Sequence, residues 1–161
     1  MNKEIYIALC EHLTKQVPEL KFIDWDSGQL NIVAERPPID YPACLIDINY
    51  TSCRDLTDRE QLIAANIVLK LIFRPNGDTS NITPKNIKQK ALECFDVIEN
   101  VQDALQGCEL GGLVSAISRA TAIKSIRRDR LQVYTITYNT TWQEIYSINS
   151  SSRKDKCLSG I

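Results

Sequence analysis

Three stretches of this chain alternate between apolar and polar side chains with a period of two, and that repeat narrows the fold more than any other feature. In "YPACLIDINY", Cys44, Ile46, Ile48 and Tyr50 fall on one side of an extended strand, and Leu45, Asp47 and Asn49 on the other. In "QLIAANIVLKLIF", Ile63, Ala65, Ile67, Leu69 and Leu71 share one side, opposite Asn66, Val68 and Lys70. In "LQVYTITYNTTW", Tyr134, Ile136, Tyr138 and Trp142 oppose Leu131, Val133, Thr135 and Thr137. A helix also fits the apolar residues of the second run, but its β-branched content and two-residue alternation favour a strand.

The cover for such a sheet is legible in a different period. Ile5, Leu9, Leu13 and Val17 recur every four residues, with Ala8 and His12 beside the stripe. Asn2 is placed to cap this helix and Pro18 to stop it. A second stripe, Ile87, Ala91, Phe95, Ile98, Val101 and Leu105, has spacings of three and four. Thr83 is placed to cap it, Pro84 to open it and Gly107 to end it. About 23 residues of helix span roughly 35 Å at 1.5 Å per residue, enough to cross a small sheet.

The connecting segments are read from turn chemistry. Residues 22–25 and 30–33 read as a hairpin around Asp26-Ser27-Gly28. "RPPIDYP" is a stiff connector, with Pro37 and Pro38 unable to donate ladder hydrogen bonds and Pro42 at the mouth of the next strand. Residues 51–60 read as a polar connection and "RPNGDTSNITP" as a loop. Arg128-Asp129-Arg130 reads as the turn joining residues 117–127 to 131–143. The expected architecture is one α+β domain over residues 1–146, a mostly antiparallel sheet packed by an N-terminal helix and one long helix. A polar tail over residues 147–161 follows it.

Composition argues against several function classes. Formal net charge is −1, so no global field draws the chain to nucleic acid or to an anionic membrane. No apolar run approaches the roughly 20 residues of a membrane span, and the N-terminal residues do not read as a signal peptide. Six cysteines include no C-x-x-C pair, and His12 is the one imidazole, so no metal or cofactor is expected. The cysteines read as reduced thiols acting as small apolar side chains.

Chemistry is sparse. No phosphate-binding loop is present, and Gly111-Gly112 reads as a hinge after a helix. His12 reads as an edge-of-core histidine rather than a general base. Asp24, Asp26, Asp47 and Glu60 lie on or near predicted strands, where a metal-dependent nuclease would hold magnesium, but acids on the wet face of a half-buried sheet are ordinary. The aromatic ladder Tyr134, Tyr138, Trp142 reads as a core face rather than a binding platform. Lys124, Arg127, Arg128 and Arg130 form the densest charge cluster, which reads as a solvated hairpin tip, a subunit contact or a surface facing DNA.

The layout as a whole resembles a family, the tail terminator or tail completion proteins of tailed bacteriophages and prophages, also described as minor tail or neck proteins. The resemblance lies in the order of a helix ending in "VPELKFIDWD", a proline-introduced strand "YPACLIDI", a long helix ending in "DALQG", and an arginine-bearing hairpin "SRATAIKSIRRDRLQVYTITYNTTW". It covers about residues 1–145. It implies a structural, non-enzymatic protein without cofactors that forms a closed ring, commonly a hexamer. Such a ring caps the tail tube and joins it to the head-side connector or stopper protein. The same resemblance implies residence in the virion tail or neck, assembly in the host bacterial cytoplasm, and DNA passing through the ring without specific contacts. The contacts expected on this basis are Arg54, Asp55, Asp58 and Arg59 in the 51–61 segment, Arg74 in the 74–83 loop, and Lys124, Arg127, Arg128 and Arg130 in the 124–130 hairpin. The alternatives are an interaction module for another partner, or a nuclease using Asp24, Asp26 and Asp47.

Overall fold

The structure, a computed structural model, describes residues 3–31, 37–75 and 77–146. Helix α1 (Lys3–Gln16) buries Ile5, Leu9 and Leu13, and Val17 completes the stripe just before Pro18. The expected cap, Asn2, lies outside the described residues. Five strands follow: β1 (Phe22–Trp25), β2 (Ala43–Thr57), β3 (Glu60–Phe73), and, after helix α2 (Lys85–Leu105), β4 (Ser118–Ile126) and β5 (Gln132–Ile145). They form one sheet in the order β1-β2-β3-β5-β4. All pairings are antiparallel except β1 on β2. The fold is therefore α+β, with a mostly antiparallel sheet.

The period-two pattern sets the register. Ile46, Leu69 and Ile136 stand side by side on one face, as do Ile48, Ile67 and Tyr138. Both helices pack on this face, and the core between them and the sheet is apolar throughout. A fully buried Leu or Ile there contributes roughly 2 kcal/mol of transfer free energy. The imidazole of His12 meets the Ala104 carbonyl at 2.7 Å, so its Nε2 donates and ties α1 to α2. The opposite face carries a smaller core, in which Leu45, Ile72 and Val133 pack with Phe22, Leu30 and Tyr41. Beyond that core the same face presents Asn49, Asn66 and Asn139 in one cross-strand row.

Four sequence expectations are corrected. First, residues 22–25 do not form a hairpin with 30–33. β1 instead lies parallel to the start of β2, with Lys21 N–H on the Pro42 carbonyl (2.9 Å) and Asp26 N–H on that of Ile46 (2.8 Å). The Asp26-Ser27-Gly28 turn is present, with Gly28 at φ +89°, but Leu30 and Asn31 leave it as non-strand and residues 32–33 lie outside the described residues. The chain gains more by sending Phe22 and Leu30 together into the second core.

Second, residues 51–57 are not a connection but the outer half of β2, and only Asp58 and Arg59 turn. All of residues 51–59 are exposed, so no apolar alternation marks the strand; its ladder to β3 and the Thr51 hydroxyl on the Ala64 carbonyl (3.0 Å) hold it. Third, Thr83 does not cap α2. Pro84 occupies the cap position, with no side-chain cap, and the Thr83 hydroxyl shares a hydrogen bond with Ser80 (2.7 Å). Fourth, α2 has 21 residues and buries only Val97, Val101 and Leu105 fully. Ile87 and Phe95 from its expected stripe are 44% and 46% exposed, so its N-terminal half is only partly covered.

Candidate functional site

The nine expected contact residues separate to opposite ends of the sheet. Arg54 and Asp55 lie near the end of β2, and Asp58 and Arg59 form the turn into β3. Arg54 pairs with Leu62 and Asp55 with Gln61, so the two charges point to opposite faces. Gln61 Nε2 donates to Asp55 Oδ1 (2.7 Å), and Tyr146 N–H closes the arm onto the Arg59 carbonyl (2.8 Å).

Beneath this tip lies a cluster that sequence reading missed. Glu144 accepts hydrogen bonds from the Trp142 indole (3.0 Å), the Tyr50 hydroxyl (3.1 Å) and the Tyr146 hydroxyl (2.7 Å). Tyr50 and Trp142 meet edge to face at 5.4 Å. Partial burial alone would raise the Glu144 pKa, but the donors from Trp142, Tyr146 and Tyr50 outweigh it and hold the carboxyl below its ordinary range. The signal was available: Trp142, Glu144 and Tyr146 alternate, and continuing the strand past residue 143 places all three on the face of Tyr50.

The other five residues lie at the far end. The Arg74 guanidinium sits 4.9 Å over the Tyr41 ring, beside a groove of about 660 Å³ between α2 and the end of the sheet. Lys124 lies 5.4 Å over Tyr134, whose ring also meets Phe73 and Phe95 edge-on. Arg128 and Arg130 are exposed in the β4–β5 turn.

Arg127 turns inward instead. It donates to the Leu30 carbonyl and to Asp129 Oδ1 (3.3 Å), and pairs with Asp129 Oδ2 (3.2 Å). Burial would raise the Asp129 pKa, but the Leu131 N–H and the Arg127 guanidinium together hold it low. Arg127 is thus a brace between the hairpin turn and the second core rather than a side chain held out for a neighbour.

The carboxylates of the nuclease alternative are engaged locally. Asp24 accepts from Trp25 N–H (2.8 Å) and Gln29 (3.3 Å), Asp26 from Gly28 N–H (3.1 Å) and Lys70 (2.5 Å), and Asp47 from Asn49 (2.9 Å). Among the described residues no three Asp, Glu, His or Cys side chains converge as a metal-ligand set. The aromatic ladder is a core face, with Tyr138 and Trp142 buried; burial pushes the Tyr138 phenol up to about 12. Burial likewise raises the thiols of Cys44, Cys10 and Cys94. Cys53 is exposed, and Cys157 lies outside the described residues.

No protein-family model matches the chain, and no curated protein sequence matches it.

Proposed function

We propose that this chain is a structural assembly protein of a phage or prophage tail, a ring-forming terminator that caps the tail tube and meets the head-side connector. The observation that supports this reading best is the placement of charge at two ends of one sheet. Arg54, Asp55, Asp58 and Arg59 occupy one end, and Arg74, Lys124, Arg128 and Arg130 the other. β3, with 14 residues, sets them about 45 Å apart at roughly 3.3 Å per residue. A ring whose strands run along its axis presents one such end to the tube and the other to the connector. The mixed-charge arm suits one partner and the basic hairpin another.

The test is native mass by light scattering after size exclusion, with negative-stain images of the same sample and capture of the cognate tail-tube protein. A ring with a central opening that retains the tube protein is expected. Reversing charge at the tip, with Asp58→Lys and Arg59→Glu together, is expected to abolish capture without unfolding the chain. A monomer at every concentration that leaves the tube protein uncaptured would overturn the reading.

A further inference from the structure

The sheet has two open edges, and we infer that they are partners: the β4 edge of one copy pairs, antiparallel, with the outer half of β2 in the next copy. β4 is the terminal strand, and all nine of its residues are exposed. Ile123 and Ile126 are 63% and 67% exposed. The strand has no proline, and one irregularity, between Arg119 and Thr121, breaks its pairing with β5. Arg119, Lys124 and this irregularity discourage pairing with a second β4 but not with a strand that carries acids. At the other side, β1 covers β2 only as far as Ile46. From Asp47 to Thr57 no strand among the described residues pairs with the outer edge of β2.

Three features match one edge to the other. The first is direction. Successive antiparallel pairings from β2 through β3 and β5 leave β4 running opposite to β2. Copies related by rotation about an axis along the strands therefore place β4 antiparallel to its neighbour's β2, a head-to-tail contact that closes as a ring. The second is charge. β4 carries Arg119 and Lys124 and no acid, whereas β2 from Asp47 to Thr57 carries Asp47 and Asp55 against Arg54. Pairing β4 with a second β4 would set two basic strands side by side.

The third is stagger. Ala122, the middle of β4, stands level with Leu69 by way of Ile136; Ser52, the middle of the open β2 segment, stands level with Ala64. The edges are thus offset by five residues across the four strands β2, β3, β5 and β4. A little over one residue per strand is close to the shear of closed sheets, whose strands tilt by about 35–45°. Edges that miss each other in a flat row meet when the ring's strands tilt. The inference rests on the ring reading only in taking a second copy as the occupant.

The ladder identifies the amides to watch. Arg127 N–H donates to Leu131 across the turn, so alternation along β4 turns the amides of Ala122, Lys124 and Ile126 away from β5. Hydrogen exchange of the unmodified protein, read residue by residue in the assembled state and in the diluted monomer, tests the pairing directly. Slowing of these three amides by about 100-fold or more on assembly, with matching protection within Asp47–Thr57, is expected. Lys124→Pro removes an outward donor at no cost to the β5 ladder, and is expected to yield monomer with an unchanged far-UV spectrum. A ring whose β4 amides still exchange freely would overturn the pairing and leave the ring standing. Protection of β4 without protection of β2 would overturn it in favour of β4 self-pairing. A persistent monomer would overturn it as well, and capture of the tube protein would then decide separately whether the chain is a tail protein.

Discussion

Replacing Arg127 with alanine separates two roles that sequence alone merges, a contact for a neighbour and a brace within the fold. The arginine side chain is 13% exposed and its partner Asp129 9%. Removal strips a charge pair at 3.2 Å and the anchor on the Leu30 carbonyl, leaving Asp129 with the Leu131 N–H among the hydrogen bonds described above. Breaking a fully buried pair costs about 3–5 kcal/mol. The pair lies in a surface turn, so the expected loss is about 2–3 kcal/mol. With a urea m-value of about 2 kcal/mol/M, the midpoint falls by about 1–1.5 M. Fluorescence of Trp25 and Trp142 reports the transition. Arg128→Ala, one residue along and exposed, is expected to stay within about 0.5 kcal/mol of the parent chain.

The pH dependence adds a second readout. Asp129 has a depressed pKa in the folded state. Its stabilisation is therefore present above the unfolded carboxyl value of about 3.9 and lost as pH falls through the lower folded value. The gap between parent and Arg127→Ala should narrow over that acid range. Equal stability of the two proteins at pH 7, with assembly lost only in the variant, would refute the brace and restore Arg127 as a contact.

Arg130 holds φ +66°, a left-handed conformation that costs a non-glycine residue about 1 kcal/mol; Arg130→Gly should raise the urea-derived stability by up to about that amount. Tyr138→Phe deletes the hydroxyl's 3.0 Å bond to Gln102 Oε1 and should cost about 1 kcal/mol in the same assay. Glu144, held below its ordinary range, should keep Trp142 emission constant down to a pH below about 4.3 and then change it in one step that Glu144→Gln abolishes.

What the sequence disclosed follows from what burial writes into it. Strands with one buried face announce themselves, and the face assignments of Ile46, Ile67 and Ile136 needed only the period of two. The outer half of β2 was illegible because Thr51, Ser52, Cys53 and Arg54 are wet on both faces and carry no alternation. The pairing of β1 was illegible because a four-residue edge strand does not encode which neighbour it joins. Among the contact residues, composition marked the charged clusters but not their geometry: nothing in "IRRDRL" says that the first arginine folds inward while the next two face solvent.

The order of strands also governs how the chain reaches this state. β2 with β3, and β4 with β5, are hairpins of neighbouring sequence, which close in about 1–10 μs. The centre of the sheet is the ladder of β3 on β5, such as Leu69 beside Ile136, and its partners are separated by α2 and β4. Closing it carries the loop entropy of everything between, so it is the slow step. Until it closes, each hairpin holds an apolar face to water, Ile67 and Leu69 on one and Ile136 and Tyr138 on the other. The nascent chain is therefore most prone to aggregate at the seam that, once formed, is the best-buried part of the molecule.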